Sequence, residues 1–209
     1  MNKQCFIFVF IFVLSLCAIA QNTKGTIEFG FNSGINFSKV GNSRSNSDMT
    51  VGFNIGASAD YFFSNRWSIK SKLIYDQKGW DNGFVQDSYI DPGLPTYVET
   101  DFDLEYLTIP IMANWHFGKK RNWYLNFGPY TGFLIGAKET TFGAKIKEDF
   151  NTIDFGLSLG VGVKIPVSTK LKISLEYEEQ AGFTDIFRQT SGPTFTNSRS
   201  SFNVGLIFQ

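Results

Sequence analysis

From Ile27 to Phe208 apolar and polar residues alternate almost without interruption, the two-residue period that sends successive side chains to opposite faces of a β-sheet. The first run sets Ile27, Phe29, Phe31, Ile35 and Phe37 against Glu28, Gly30, Asn32, Gly34 and Asn36. The second, Met49 to Tyr61, holds the alternation throughout. A third sets Trp67, Ile69, Leu73 and Tyr75 against Ser68, Lys70, Lys72 and Asp76, and a fourth sets Leu107, Ile109, Ile111, Ala113 and Trp115 against Thr108, Pro110, Asn114 and His116. Pro110 is the weak point there, because it cannot donate to a ladder. A fifth run carries Trp123, Leu125, Phe127, Phe133 and Ile135, and the sixth is unbroken from Thr152 to Ile165. The seventh centres on Leu171, Ile173, Leu175 and Tyr177, and the eighth on Phe202, Val204, Leu206 and Phe208.

The connections between these eight predicted strands fall into two alternating kinds. Phe62 to Arg66, Gly118 to Asn122 and Pro166 to Lys170 are tight, whereas Ser38 to Asp48, Lys78 to Thr100, Lys138 to Asn151 and Thr184 to Ser200 are longer and polar. Short turns at one end and long loops at the other are characteristic of outer-membrane barrels, in the periplasm and outside the cell respectively.

Composition decides which face is outside. Aromatics make up 17% of the chain, with 23 Phe, yet the mean hydropathy is close to zero. Past residue 20 no apolar run approaches the roughly 20 residues that a spanning helix needs. A soluble eight-stranded barrel would keep its apolar side chains inside and solvate its exterior with charge. Here the polar face is rich in Gly, Ser, Asn and Thr, a poor solubilising surface but a good lining for a narrow interior. Tyr61, Trp67, Trp115 and Trp123 flank the short turns, as an interfacial girdle would. The pattern therefore predicts an all-β fold, an eight-stranded antiparallel up-and-down transmembrane β-barrel, in which every backbone polar group is paired within the closed sheet.

The first twenty residues stand apart. Lys3, the apolar run Phe6 to Leu16 and Ala18-Ile19-Ala20 form the tripartite pattern of a secretory signal peptide, with cleavage expected after Ala20. Processing at Cys17 as a lipoprotein is disfavoured by the bulky Leu16 before it. The expected organisation is thus residues 1–20 as signal peptide and 21–209 as the barrel domain of an outer-membrane protein. Both cysteines, Cys5 and Cys17, lie in the leader, so the barrel has no thiol for a disulfide, a zinc site or a nucleophile. Without Lys3 the balance is 18 basic against 19 acidic residues, which gives no electrostatic basis for a nucleic-acid partner.

The segments Leu73 to Gly79 (LIYDQKG), Tyr106 to Phe117 (YLTIPIMANWHF), Gly128 to Lys138 (GPYTGFLIGAK), Phe155 to Gly162 (FGLSLGVG) and Leu175 to Phe187 (LEYEEQAGFTDIF) resemble the porin-family, PorT-like outer-membrane β-barrel proteins, with an architecture similar to the OmpA transmembrane domain and OmpX. The resemblance implies residence in the bacterial outer membrane among lipid and lipopolysaccharide, and insertion by the barrel-assembly machinery. The chain departs from the family in ending Phe208-Gln209 rather than on an aromatic. The shared segments are structural, so they speak to fold and hardly to activity.

Chemistry is sparse. Barrel enzymes of the resembling kinds use a histidine near the extracellular rim, whereas His116, the only histidine, falls beside a short turn. Ser and Asp are plentiful, but no base is expected within their reach, so no catalytic residue is assigned. Gly160, Gly162 and Lys164 lie within a strand and open no helix, which removes the phosphate-loop reading. No cofactor is expected. Glu99, Asp101, Asp103 and Glu105 recur at spacing two ahead of the fourth strand, on one face of an extended segment, where a solvated acidic face competes with a Ca²⁺ or Mg²⁺ site.

Two functional expectations follow. The long third loop, with Trp80, Phe84, Tyr89, Tyr97 and two prolines, is the expected contact surface for a protein partner. Inside the barrel, Lys70, Lys72, Lys164 and Lys172 should pair with Glu28, Asp60, Asp76, Asp154, Glu176 and Glu178 and close the bore. A non-enzymatic role through loops or envelope structure leads; a narrow porin and an accessory component of a protein-secretion apparatus are the alternatives.

Overall fold

A computed structural model of the chain describes residues 24–42, 47–87, 96–188 and 192–209. The strands are β1 (Ile27–Gly41), β2 (Thr50–Phe62), β3 (Trp67–Asp87), β4 (Thr96–Phe117), β5 (Trp123–Glu139), β6 (Ile153–Pro166), β7 (Leu171–Gly182) and β8 (Thr196–Phe208). Each pairs antiparallel with its neighbours in chain order, and β8 returns to β1 from Phe29↔Phe208 to Gly41↔Thr196, closing the ring. The signal-peptide segment, Tyr89 and both loop prolines lie outside the described residues.

The alternation sets the faces as the sequence predicts, with the apolar set outside. Phe31 and Val51 keep about two-thirds of their surface exposed, 65% and 66%, while Glu28, Asn36, Asp60 and Asp76 on the opposite face are buried. An apolar exterior around a charged interior inverts a soluble protein, and burying that exterior requires lipid. Beside the tight turns the outer face carries a ladder of rings: Trp67 stacks on Trp115 at 6.3 Å, Trp115 on Phe117 at 5.1 Å and Phe117 on Trp123 at 6.4 Å.

The long connections are shorter than the sequence suggests, because β3 and β4 extend well past Asp76 and Leu107. Their ladder continues to Asp87↔Thr96 through a bulge between Trp80 and Gly83, where Asn82 takes a positive φ of 56°. Beyond Glu105 the polarity of β4 inverts. Outward positions become Asp103, Asp101 and Glu99, while inward positions become Leu104 and Phe102. The strand has left the lipid there, so its outer face meets water and its inner face packs a core. Trp80, expected in a contact loop, is instead a buried residue of β3. The eighth strand likewise starts at Thr196 rather than after Ser200.

Candidate functional site

Six cations and six carboxylates from the inward faces form two ion-paired clusters along the barrel axis, Glu28, Asp60, Lys164 and Lys172 near the short turns and the other eight above them. Near the short turns Glu28 accepts from Lys164 and Lys172, both at 2.5 Å. Asp60 accepts from Lys164 at 2.9 Å and from Asn114 at 3.0 Å. One layer up, Glu176 accepts from Lys70 at 2.9 Å, from Asn126 at 3.0 Å and from Lys72, which also reaches Glu178 at 2.5 Å. Arg199 then joins Glu178 to Asp76, lying 3.0 Å from the Asp76 carboxylate. Highest in the network, Asp154 accepts from Lys78 at 3.0 Å, from Tyr130 at 3.2 Å and from Asn197 at 3.1 Å.

The ten charges expected inside are all there, and Lys78 and Arg199, which the sequence reading places in loops, complete the set. Among the described residues the two signs are thus equal in number in the lumen. That matters energetically, because an unpaired charge in a water-poor interior is costly. A cavity of about 10 Å³ between Asn32, Ser58, Lys70 and Lys72 is on the scale of one water molecule.

Above the network the interior turns apolar. Trp80 stacks on Phe102 at 4.4 Å and 12°, and Phe150 and Phe187 each approach Trp80 at 6.1 Å. Val40, Leu104, Leu134 and Ile186 complete this core at the loop end. Phe150 and Phe187 come from two different connections joined by an isolated β-bridge. The core opens outward as a cup of about 620 Å³, walled by Trp80, Phe102, Phe150, Phe187 and Phe195 and rimmed by Ser47, Asn82 and Asp149. An ion-paired interior thus lies below an aromatic cup at the loop end.

His116 is buried at the opposite end between Phe62 and Tyr124, with ring centroids 4.7 and 6.1 Å away. Contrary to the sequence reading, a serine does lie in reach: Ser68 Oγ is 3.1 Å from His116 Nε2. Asp60 Oδ2 is 4.0 Å from that same nitrogen. A nucleophilic relay needs the hydroxyl and the carboxylate on different ring nitrogens, so the three residues do not form one. Two members of the acidic series of β4 have partners within the protein. Asp103 faces Lys138 at 3.4 Å, and Asp101 accepts from the Asn82 amide at 3.0 Å. Among the described residues no group of three or more His, Cys, Asp or Glu side chains is placed to hold a metal ion.

A closed eight-stranded ring with lipid outside and paired charge inside defines a transmembrane barrel of the bacterial outer membrane. The chain belongs to the outer membrane protein beta-barrel domain family, whose model matches residues 19–188. Among solved structures it is similar to Neisserial surface protein A, at 16% identity over 86% of this chain and 96% of that one, with a TM-score of 0.50. OprG from Pseudomonas aeruginosa is similar at 9% identity over 91% and 98%, with a TM-score of 0.51. Ail of Yersinia pestis matches at 18% identity over 89% and 100%, with a TM-score of 0.45. At these identities the likeness concerns the fold. No curated protein sequence matches the chain.

Proposed function

We propose that the protein is a non-enzymatic outer-membrane barrel, exported with residues 1–20 removed, that acts through its loop end at the cell exterior and does not conduct solutes. One observation carries this reading: the charge-balanced ion pairs that line the lumen from Glu28 to Lys78, in which each cation and carboxylate has a counter-ion. Water-filled diffusion pores are built from roughly 16 to 18 strands, whereas an eight-stranded interior is about wide enough for its own side chains. The aromatic cup and the exposed Phe84 and Tyr97 of the β3–β4 hairpin supply the contact surface. Lipopolysaccharide surrounds that end, and a protein or apolar ligand docks on it. The one histidine is buried between Phe62 and Tyr124 at the short-turn end, opposite the aromatic cup, which supports the absence of catalysis.

The full barrel in planar bilayers is expected to give at most small, infrequent conductance steps, and its proteoliposomes no uptake of sugars in swelling assays. Large, stable channels would overturn the reading and favour the porin alternative. Orientation has its own test. Trypsin added to intact cells is expected to cut after Lys145 or Lys147, exposed in the β5–β6 connection, and not after Lys119 or Lys120, exposed in the β4–β5 turn. The opposite cleavage pattern would invert the topology.

A further inference from the structure

Among the described side chains, those of the short-turn end carry charge of one sign. Residues 24–26, 63–66, 118–122 and 167–170 contribute six basic side chains, Lys24, Arg66, Lys119, Lys120, Arg121 and Lys170, and no acidic one. The described side-chain carboxylates of the adjoining strand ends, Glu28 and Asp60, are buried in the lumen with Lys164 and Lys172. The outward carboxylates described above, Glu99, Asp101, Asp103 and Glu105, belong to the other end of the barrel. The asymmetry is therefore a property of the surface, since among the described residues of the lumen the two signs are equal in number.

Three of these basic residues are held on one platform. Arg66 immediately precedes Trp67, and Lys119 and Lys120 lie between Phe117 and Trp123, so the exposed cations border the stacked ladder Trp67, Trp115, Phe117, Trp123. Arg121 ties the platform together by donating from its guanidinium to the Asn65 carbonyl at 2.9 Å, across two turns. Tryptophan rings on the outside of a barrel settle at the headgroup level of the bilayer. Cations beside them stand at the height of the lipid phosphates.

We infer that this platform binds anionic phospholipid headgroups of the leaflet it faces, with Arg66, Lys119 and Lys120 contacting phosphate while the ring ladder packs on the glycerol and upper acyl region. The inference adopts the orientation proposed above, under which that leaflet is the periplasmic one. A basic residue near an anionic membrane surface favours binding about fivefold, and three acting together exceed tenfold.

The test uses the full barrel in neutral detergent, where both ends are accessible and orientation plays no part. Native mass spectrometry would follow retention of phosphatidylglycerol against phosphatidylcholine of identical chains. The expected result is at least a tenfold preference for phosphatidylglycerol, abolished in the triple variant Arg66→Gln, Lys119→Gln, Lys120→Gln and kept in the loop-end variant Lys145→Gln, Lys147→Gln. Retained heat-modifiable gel migration shows that each variant is folded. Equal retention of the two lipids by the parent overturns the inference, as does a preference that survives the triple variant or disappears in the loop-end one. Salt-sensitive sedimentation with isolated peptidoglycan, without lipid preference, would overturn it in favour of the wall polymer. Trypsin cleavage after Lys119 on intact cells would instead invert the orientation and leave the headgroup preference itself standing.

Discussion

Replacing Arg199 with Met is expected to destabilise the folded barrel by about 3–5 kcal/mol, the range for breaking a buried ion pair by removing one partner. Arg199 is fully buried, lies 3.0 Å from the Asp76 carboxylate, also bonds Glu178, and donates to the Asn36 side chain at 3.3 Å. Its loss leaves the lumen with one excess negative charge. Asp76 would keep neutral donors in Asn36 at 2.9 Å and Thr108 at 3.1 Å, but its nearest cation would be Lys78 at 3.9 Å. Lysine at this position restores charge without the planar fork that serves two carboxylates at once, so Arg199→Lys should recover only part of the loss. The measurement is the urea midpoint for unfolding from lipid vesicles. Asp103→Asn is the control, because its partner Lys138 is 54% exposed at 3.4 Å and such surface pairs contribute about 0–1 kcal/mol. If Arg199→Met moves the midpoint no further than Asp103→Asn does, the lumen network is not a source of stability.

What the sequence reveals and what it hides both follow from a single physical boundary. Within the lipid the outward residues must be apolar, so alternation marks each strand and its parity assigns Lys70, Lys72, Asp76, Asp154, Lys164 and Glu176 to the lumen. Above Glu105 lipid no longer imposes that rule. The outward face turns acidic, the inward face turns apolar, and a reading tuned to outward apolar residues mistakes strand for loop. Lys78 and Arg199 were hidden for this reason, although each continues the inward parity: Lys78 lies two residues after Asp76, and Arg199 two before Ser201. The aromatic cup has no sequence signature at all. Trp80, Phe102, Phe150, Phe187 and Phe195 are separated by up to 115 positions in the chain and meet because the ring is closed. Proximity of Ser68 to His116 arises the same way, through the antiparallel register that sets Ser68 opposite Asn114.

The same boundary makes the outer surface testable by depth. Leu159 lies midway along β6, points outward with 52% of its surface exposed, and pairs with Phe127 of β5. Placed in a bilayer it meets hydrocarbon, where a guanidinium loses its hydration and has no partner to replace it. Leu159→Arg is therefore expected to destabilise the barrel in vesicles by about 2–4 kcal/mol, the range measured for Arg or Lys on the lipid face at the midplane. Ile165 has the same outward parity on the same strand but sits beside the tight turn, level with the aromatic ladder through the pairing of Trp123 with Val163. From there an arginine reaches the headgroups by extending its stem, so Ile165→Arg should cost about 0–1 kcal/mol. The contrast between these two sites in vesicles, read as the difference in unfolding midpoint, locates the membrane slab on the barrel. Equal costs at both positions would mean that the apolar exterior is covered by something other than a bilayer.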